Sequence, residues 1–330
     1  SHVLGDEASG SLFAYLKAKG WVSNLIAGSG IEGQNFKDFN INLQLTESGL
    51  TQQQDIINAA FYVIEILKEA AKEEWRLQEK AKLNQLARQY DDSHKPLQAI
   101  SELAELHQYF SWGDIAKACI SETLTQQSLC DALAYFTPAN MRVKVIARGV
   151  HTTKRCAYYD AAYAIEPYTE QQRAAWQTPS PVQAIFMSPP NPFIGDSYSL
   201  CKNEAQYALP QQLVSNKGFD FWFCQDHIFN VPKGDIFVSF DIPSLAQNIH
   251  QVAAKRLWLA ALNDFLQGRF YRAEIAGLHY RIYGHQGGFS IHTRGFSAQQ
   301  GQLLNHLIDA IKGFTPDPQT FKQVQSLQCQ

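Results

Sequence analysis

The same order of structural patterns occurs twice in this chain, on either side of a proline-rich segment. In each copy a short helical pattern ends at a glycine (Gly20 or Gly277), strand patterns follow, and a long amphipathic helical pattern closes the copy. A length of 330 residues is sufficient for two domains. We therefore predict an α+β fold of two related units with antiparallel-rich sheets covered by helices. The expected division is a first domain over 1–180, a linker over 181–195 and a second domain over 196–330.

Composition limits the classes of partner that this chain can bind. Apolar residues make up 45% and charged residues 18% of the sequence, so the chain can form sizeable hydrophobic cores. Its net charge of −3 provides no extended basic surface for nucleic acid or for anionic lipid. The apolar stretch 61–67 is far too short to cross a bilayer and is interrupted by Glu65. We predict neither a nucleic-acid partner nor a membrane partner.

Local periodicity predicts the individual elements. Alternating apolar residues predict a strand over 141–145 and an antiparallel pair formed by 219–223 and 236–242. Thr51 and Gln54 have the spacing of a capping box and predict the start of a long helix. Further strands are predicted over 39–45 and on both sides of the turn 284–288, and further helices over 11–20, 73–90, 126–136, 245–266 and 297–314.

Motifs for nucleotide binding, nucleophilic catalysis and zinc binding are absent from the sequence. It contains no P-loop, no dinucleotide-binding glycine motif, no G-x-S-x-G, no H-E-x-x-H and no H-x-x-E-H. We interpret three weaker groups as ordinary surface and strand-end residues, with a metal site as the alternative for the first two. These groups are Cys224, Asp226 and His227 after a strand, His279, His285 and His292 on one hairpin, and Glu73, Glu74 and Glu79 along one helix.

The segment 25–29 has a different character. Its apolar residues lead into Gly28, and such a strand offers accessible backbone donors and acceptors if it lies at a sheet edge. The sequence alone leaves two interpretations open: an edge that pairs with an added peptide strand, and a strand that ends in an ordinary Gly-Ser turn.

Several short segments, in order along the chain, resemble the insulinase/pitrilysin family of metallopeptidases. They are HVLGDEASGSL at 2–12, LKAKGWV at 16–22, FNINL at 39–43, LTESGL at 45–50, NMRV at 140–143, NPFI at 191–194, FWFCQD at 221–226 and AEIAGL at 273–278. The resemblance extends over nearly the whole chain and includes the linker.

The resemblance implies a metallopeptidase fold of the LuxS/MPP-like type. Family members have four homologous domains that form two bowl-shaped halves around a chamber for peptides. Their zinc is bound in the first domain through H-x-x-E-H and a distant glutamate, whereas this chain resembles most of the second domain and the first part of the third. The resemblance therefore implies no catalytic residue and no metal in this chain, zinc as the cofactor of the full-length parent, and a structural role for Glu79.

The resemblance also implies a substrate-binding exosite. A strand of the second domain pairs through its backbone with the N-terminal part of the substrate, and an acidic residue lies beside the substrate amine. The matching positions here are Glu7, Leu25, Ile26, Ala27, Gly28 and Ser29. The implied partners are peptide substrates and the remaining domains of the parent, and the alternative is a structural or binding role in an inactive homologue. The compartment stays open, because the family has periplasmic and cytosolic members.

Overall fold

The structure is a computed structural model of the 330-residue chain. It describes residues 2–33, 35–90, 95–118, 125–200, 209–226 and 228–316, together with Pro318, Phe321 and Gln325. The elements, in chain order, are α1 (Leu12–Ala18), β1 (Val22–Glu32), β2 (Lys37–Leu45), α2 (Glu47–Thr51), α3 (Gln53–Ala70), α4 (Glu74–Gln89), α5 (Pro96–Leu106), α6 (Trp112–Ala118), α7 (Gln126–Ala134), β3 (Lys154–Arg155), β4 (Ala162–Tyr163), α8 (Glu170–Gln177), β5 (Gln211–Asn216), β6 (Phe219–Phe223), β7 (Lys233–Asp241), α9 (Ile249–Leu266), α10 (Tyr271–Ile275), β8 (Leu278–His285), β9 (Gly288–Phe296) and α11 (Ser297–Lys312).

The chain forms two compact units, each with its own hydrophobic core. The first unit contains Ser1–Gln78 and Pro96–Pro189, and the second contains Glu79–Lys95 and Pro190–Gln330. The chain passes between the units at three points: within α4 after Gln78, before α5 at Pro96, and inside the proline-rich segment 181–195 after Pro189. All strand pairs among the described residues are antiparallel, and helices cover the β1–β2 pair and the β7–β9–β8 sheet, which confirms the predicted α+β class.

The core of the first unit brings α1, α3 and the β1–β2 pair together. Helix α1 begins where the Ser11 hydroxyl accepts a hydrogen bond from the N–H of Ala14, and it buries Leu12 and Leu16. Gly20 follows with a φ of +69°, a conformation that glycine adopts without steric cost, and the chain turns there into β1. The core also contains the apolar side chains Leu4, Val22, Leu25, Ile56, Val63, Ile64, Trp176 and Ile185.

The second unit is built on the three-stranded sheet β7–β9–β8, with β9 in the centre. Its inner face presents Ile282 and Ile291 to Leu262 of α9 and Leu303 of α11 in a single core cluster. Gly277 has a φ of +77° and lies between α10 and β8, at the position that Gly20 takes in the first unit. The predicted hairpin around 284–288 forms as β8 and β9.

Two strand predictions are wrong. Residues 141–145 form no strand, and Val143 and Val145 are exposed. Burial of the apolar side chains on one face, which stabilises a strand with this alternating pattern, is therefore missing. Strand β6 pairs with β5 through the tight turn at Gly218, whereas β7 pairs with β9. Because the β5–β6 contact is local in sequence and the β7–β9 contact is not, strand periodicity alone could not assign these partners.

The predicted capping box at Thr51 does not form either. Thr51 is the last residue of α2, and its hydroxyl donates to the carbonyl of Ser48 at 2.7 Å. Gln52 occupies the N-cap of α3 and makes no capping hydrogen bond with its side chain. The side-chain cap lies five residues earlier than predicted: the Thr46 hydroxyl caps the short helix α2, which precedes α3. Of the described helices, none is both long and apolar enough to span a membrane.

Candidate functional site

Strand β1 has one neighbour among the described residues, the antiparallel strand β2. The register places Leu25 opposite Leu43 and Gly28 opposite Asn40. In an antiparallel pair, alternate residues direct their N–H and C=O groups away from the partner strand. The second edge of β1 therefore presents backbone donors and acceptors that no other described strand uses.

The side chains of β1 alternate between the core and the surface. Leu25 is 5% exposed and belongs to the core of the first unit, and Ala27 packs against that core. Ile26, on the opposite side, is 62% exposed, whereas Ser29 shares the side of Leu25 and Ala27 but is exposed. The inward side chains anchor the strand to its unit, while the outward positions stay accessible to a ligand.

Gly28 is not required by the packing of the chain itself. A Cβ atom at this position would meet no heavy atom within 4 Å, and its φ lies outside the left-handed region. Gly30, two residues later, differs, because a Cβ there would clash with the side chains of Asp38 and Asn40. A glycine within a strand that has open space beside it permits close approach of another backbone.

Glu7 lies in the turn that precedes α1, and its side chain is exposed. Leu4 and Ala8 on either side are buried and hold the turn against the first unit. The Asp6 carboxylate accepts hydrogen bonds from the N–H of Ala8 at 2.8 Å and from the Ser188 hydroxyl at 3.2 Å. The Glu7 carboxylate has no hydrogen-bond or ion-pair partner in the part of the chain that the structure describes, so it is available to a cation.

Glu7 and β1 belong to the same unit, and Leu4 and Leu25 belong to the same core cluster. Within the described ranges no hydrogen bond or ion pair connects Glu7 with the strand. The structure thus places both predicted parts of the exosite on one unit without a direct contact between them.

The three hairpin histidines do not converge on one point. The Nε2 atom of His292 lies 2.6 Å from Oδ1 of Asp235, and Nε2 of His285 lies 3.1 Å from the Ser239 hydroxyl. No group of three or more His, Cys, Asp or Glu side chains is placed to bind a metal ion among the described residues. His227, the third member of the candidate group at the end of β6, lies outside the described residues.

Comparisons with known proteins agree with the resemblance. A family model described as the middle or third domain of peptidase_M16 matches residues 89–330. The A-factor-processing enzyme of Saccharomyces cerevisiae is 27% identical over 328 residues, which cover 98% of this chain and 32% of that protein. The insulin-degrading enzyme of Homo sapiens is 27% identical over 325 residues, which cover 97% of this chain and 32% of that protein.

A solved structure, the crystal structure of pitrilysin, shares the fold. It superposes with a TM-score of 0.84 at 21% sequence identity, over 99% of this chain and 35% of the pitrilysin chain. The chain spans about a third of the length of the relatives that it matches. The family model covers well over half of the chain and thereby confirms the resemblance seen in the sequence: the chain belongs to the insulinase family of peptidases and contains that family's middle domain.

Proposed function

We propose that this chain is the non-catalytic middle portion of a zinc metalloendopeptidase that cleaves peptides enclosed in a chamber, and that it forms part of the chamber wall. Family membership supports the proposal, as do the names of two relatives, an insulin-degrading enzyme and an A-factor-processing enzyme. The sequence has no H-x-x-E-H, and its described residues include no group suited to bind zinc. The described residues therefore do not fit a catalytic zinc ion, and we assign the zinc and the hydrolytic step to other parts of the parent.

We further propose that β1 is an exosite that pairs with the N-terminal strand of a peptide substrate. The observation that carries this proposal is the unused edge of β1 together with the open space beside Gly28. An extended peptide would add a third strand to the β1–β2 pair through main-chain hydrogen bonds. Because main-chain hydrogen bonds do not depend on the identity of the side chains, such an edge can bind peptides of many sequences. Glu7 supplies the charge that favours a free N-terminal amine.

Backbone pairing predicts an alternating response to chemical changes in the ligand. We would measure the binding of fluorescently labelled extended peptides to the 330-residue chain by fluorescence anisotropy. A peptide strand at a sheet edge uses the N–H of every second residue. N-methylation at one set of alternate positions should abolish binding, while N-methylation at the intervening positions should leave binding nearly unchanged. An equal effect at all positions would contradict strand pairing.

The role of Glu7 has a separate test. Acetylation of the peptide N-terminus should weaken binding a few-fold, because an exposed charge pair contributes about 1 kcal/mol or less. Glu7→Gln should remove this preference for a free amine, whereas the matched change Glu69→Gln on α3 should preserve it. Equal affinity of the native chain for the free and acetylated peptides would exclude Glu7 as the anchor.

The alternative is a structural or binding role in an inactive homologue whose zinc motif is lost. Measurements of zinc content and peptide cleavage on the full-length protein that contains this chain distinguish the endopeptidase from the inactive homologue. One zinc ion per molecule and chelator-sensitive cleavage of a mid-sized peptide would support the endopeptidase. Absence of both zinc and cleavage would favour the inactive homologue, with the β1 edge as its binding function.

A further inference from the structure

The outer face of the sheet β7–β9–β8 carries a group of basic side chains. Its inner face packs on α9 and α11, so the alternate residues of each strand point to the opposite side. The register places two neighbouring rows of side chains on this outer face: Asp235, Arg294 and His279 in one row, and Phe237, His292 and Arg281 in the next. We call His279, Arg281, His292 and Arg294 the basic patch.

The two arginines of this patch have no carboxylate partner within the described part of the chain. Asp235 is the one carboxylate in the two rows, and His292 binds it through Nε2 at 2.6 Å. Arg281 and Arg294 are exposed and have no ion-pair partner among the described residues. The Arg281 guanidinium lies over the ring of Tyr283, at 5.4 Å from its centroid. Two exposed arginines therefore occupy neighbouring positions on the outer face of a chain whose net charge is −3.

The sheet fixes the separation of the two arginines. Arg281 lies directly opposite His292, and Arg294 lies two residues further along β9, so the arginines are diagonal neighbours on adjacent strands. Diagonal neighbours of this kind lie roughly 7–8 Å apart. Side chains at positions i and i+2 of an extended peptide point to one side and lie about 6.6–6.8 Å apart. The spacing thus matches two carboxylates at alternate positions of an extended strand.

An aromatic stack and the central strand hold His292 of the patch in place. Phe237 is 64% exposed, and its ring stacks on His292 with 4.1 Å between the centroids and 9° between the planes. Strand β9 is the central strand, hydrogen-bonded on both sides. A side chain that is already held in place loses little conformational entropy on binding, so the stacked His292 favours a specific site.

We propose that the basic patch binds an extended acidic peptide whose carboxylates occupy positions i and i+2. The guanidinium charges favour carboxylates, and the diagonal spacing of the two arginine backbones favours carboxylates at alternate positions. The patch is a different site from the proposed exosite, because it lies on the second unit. It would contact the side chains of a peptide rather than its backbone, and it requires no N-terminal amine. An acidic peptide fits better than a nucleic acid, because the cationic area is confined to two arginines.

The test uses a labelled probe peptide with the core Glu-Ser-Glu, acetylated and amidated at its ends, and anisotropy on the 330-residue chain. Two matched peptides accompany it: Gln-Ser-Gln, which lacks the charges, and Glu-Glu-Ser, whose carboxylates point to opposite sides. We expect the probe to bind more tightly than both, and added salt to weaken its binding.

Protein variants locate the binding. Arg281→Gln and Arg294→Gln should each weaken probe binding about three- to five-fold, as expected for exposed charge pairs. Arg256→Gln makes the same charge change at an exposed position of α9 and should leave the affinity unchanged. Circular dichroism melts of all variants confirm that each is folded. Equal affinities for the Glu and Gln peptides, or an equal loss in Arg256→Gln, would overturn the proposal.

Two further measurements distinguish peptide binding at the patch from nucleic-acid binding and from binding at the exosite. A single-stranded oligonucleotide that binds more tightly than the probe and loses affinity in Arg281→Gln would overturn the assignment to peptides. A free N-terminal amine on the probe should not strengthen binding to the patch, in the native chain or in Arg281→Gln, because Glu7 lies on the other unit. A gain from the amine that is lost in Glu7→Gln and kept in Arg281→Gln would place the probe at the exosite and overturn the patch, whereas a loss of affinity in Arg281→Gln without an amine effect would support the patch and leave the exosite to its own test.

Discussion

The carboxylate of Glu79 on α4 accepts a hydrogen bond from the backbone N–H of Asn191 at 2.8 Å. Asn191 is 8% exposed, and its side chain accepts from the N–H of Phe193 at 3.0 Å and donates to the carbonyl of Arg272 at 2.8 Å. Glu79 thus helps to hold the proline-rich segment around Asn191 against the second unit, where Phe193 enters the core. This relationship is structural and agrees with the interpretation of Glu79 from sequence.

Glu79→Ala should therefore destabilise the second unit. The substitution leaves the N–H of a largely buried residue without its acceptor, which is expected to lower the free energy of unfolding by about 1–2 kcal/mol. Glu69→Ala is the matched control, because Glu69 forms an exposed ion pair with Lys72 and should change the value by no more than about 0.5 kcal/mol. Urea unfolding followed by circular dichroism measures both, and equal effects would contradict the role of Glu79.

Alanine should destabilise the first unit at Gly49 but not at Gly28. At Gly49 a Cβ would collide with the backbone carbonyl of Trp21, and we expect a loss of about 1–3 kcal/mol in the free energy of unfolding. At Gly28 the added methyl meets open space, so stability should be unchanged while affinity for an extended peptide falls. Thermal melts and peptide binding on the two variants check this, and a destabilised Gly28→Ala would show that the fold itself requires the glycine.

Lys255 is a buried cation that holds the β8–β9 turn. Its Nζ donates to the carbonyls of His285 at 2.5 Å and Gln286 at 3.2 Å, and the residue is 8% exposed. Lys255→Met keeps the apolar stem and removes both hydrogen bonds, so the free energy of unfolding should fall by about 1–3 kcal/mol. Lys80→Met, at an exposed position of α4, should have little effect. A neutral result at Lys255 would mean that water replaces the ammonium group at the turn.

Tyr280 makes the second unit sensitive to alkali. Burial, with a smaller contribution from the Glu274 carboxylate, raises the pKa of the Tyr280 phenol from 10.0 to about 12. Its hydroxyl donates to the Leu266 carbonyl at 3.0 Å. The unfolded chain releases this proton at lower pH than the folded chain, so the stabilising contribution is complete below pH 10 and is lost as the pH rises towards about 12.

Because Tyr280 is only partly buried, we expect this alkaline loss to be about 1 kcal/mol. Tyr280→Phe removes the titrating group, so its unfolding free energy should fall less steeply over the same pH range than that of the native chain. Urea unfolding across that range measures the difference. Parallel curves for the two proteins would show that Tyr280 does not titrate differently on folding.

Elements whose signals are local were predicted well. Helix α1 has its Ser11 cap and Gly20 stop, and the β8–β9 hairpin has strict alternation on both sides of a glycine-rich turn. The pairing partners of β6 and β7 were not predicted, because several alternating segments compete for the same neighbours and their apolar patterns are equivalent. The strand predicted over 141–145 does not form, because no described strand pairs with this segment and its apolar residues are not buried on one face.

Of the two candidate sites, one was proposed from a local sequence feature and the other required the tertiary structure. The segment 25–29 was identified from sequence, since an apolar run that leads into glycine is a local feature and the family resemblance marks the same residues. The basic patch was not identified, although alternation along β8 and β9 places Arg281 and Arg294 on the outward side of their strands. Which strands are adjacent, and in which register, had to be known before these two residues could be seen as neighbours.

The order of residues was thus sufficient to establish the α+β class, the positions of most helices and the insulinase family, because periodicity, caps and collinear motifs are properties of contiguous chain. Only the tertiary structure decided that β1 keeps an unpaired edge among the described residues, that Glu79 binds Asn191, and that the basic patch is assembled. These features depend on which distant segments pack together, and that choice is made by burial and hydrogen bonding summed over a whole unit rather than by any local pattern.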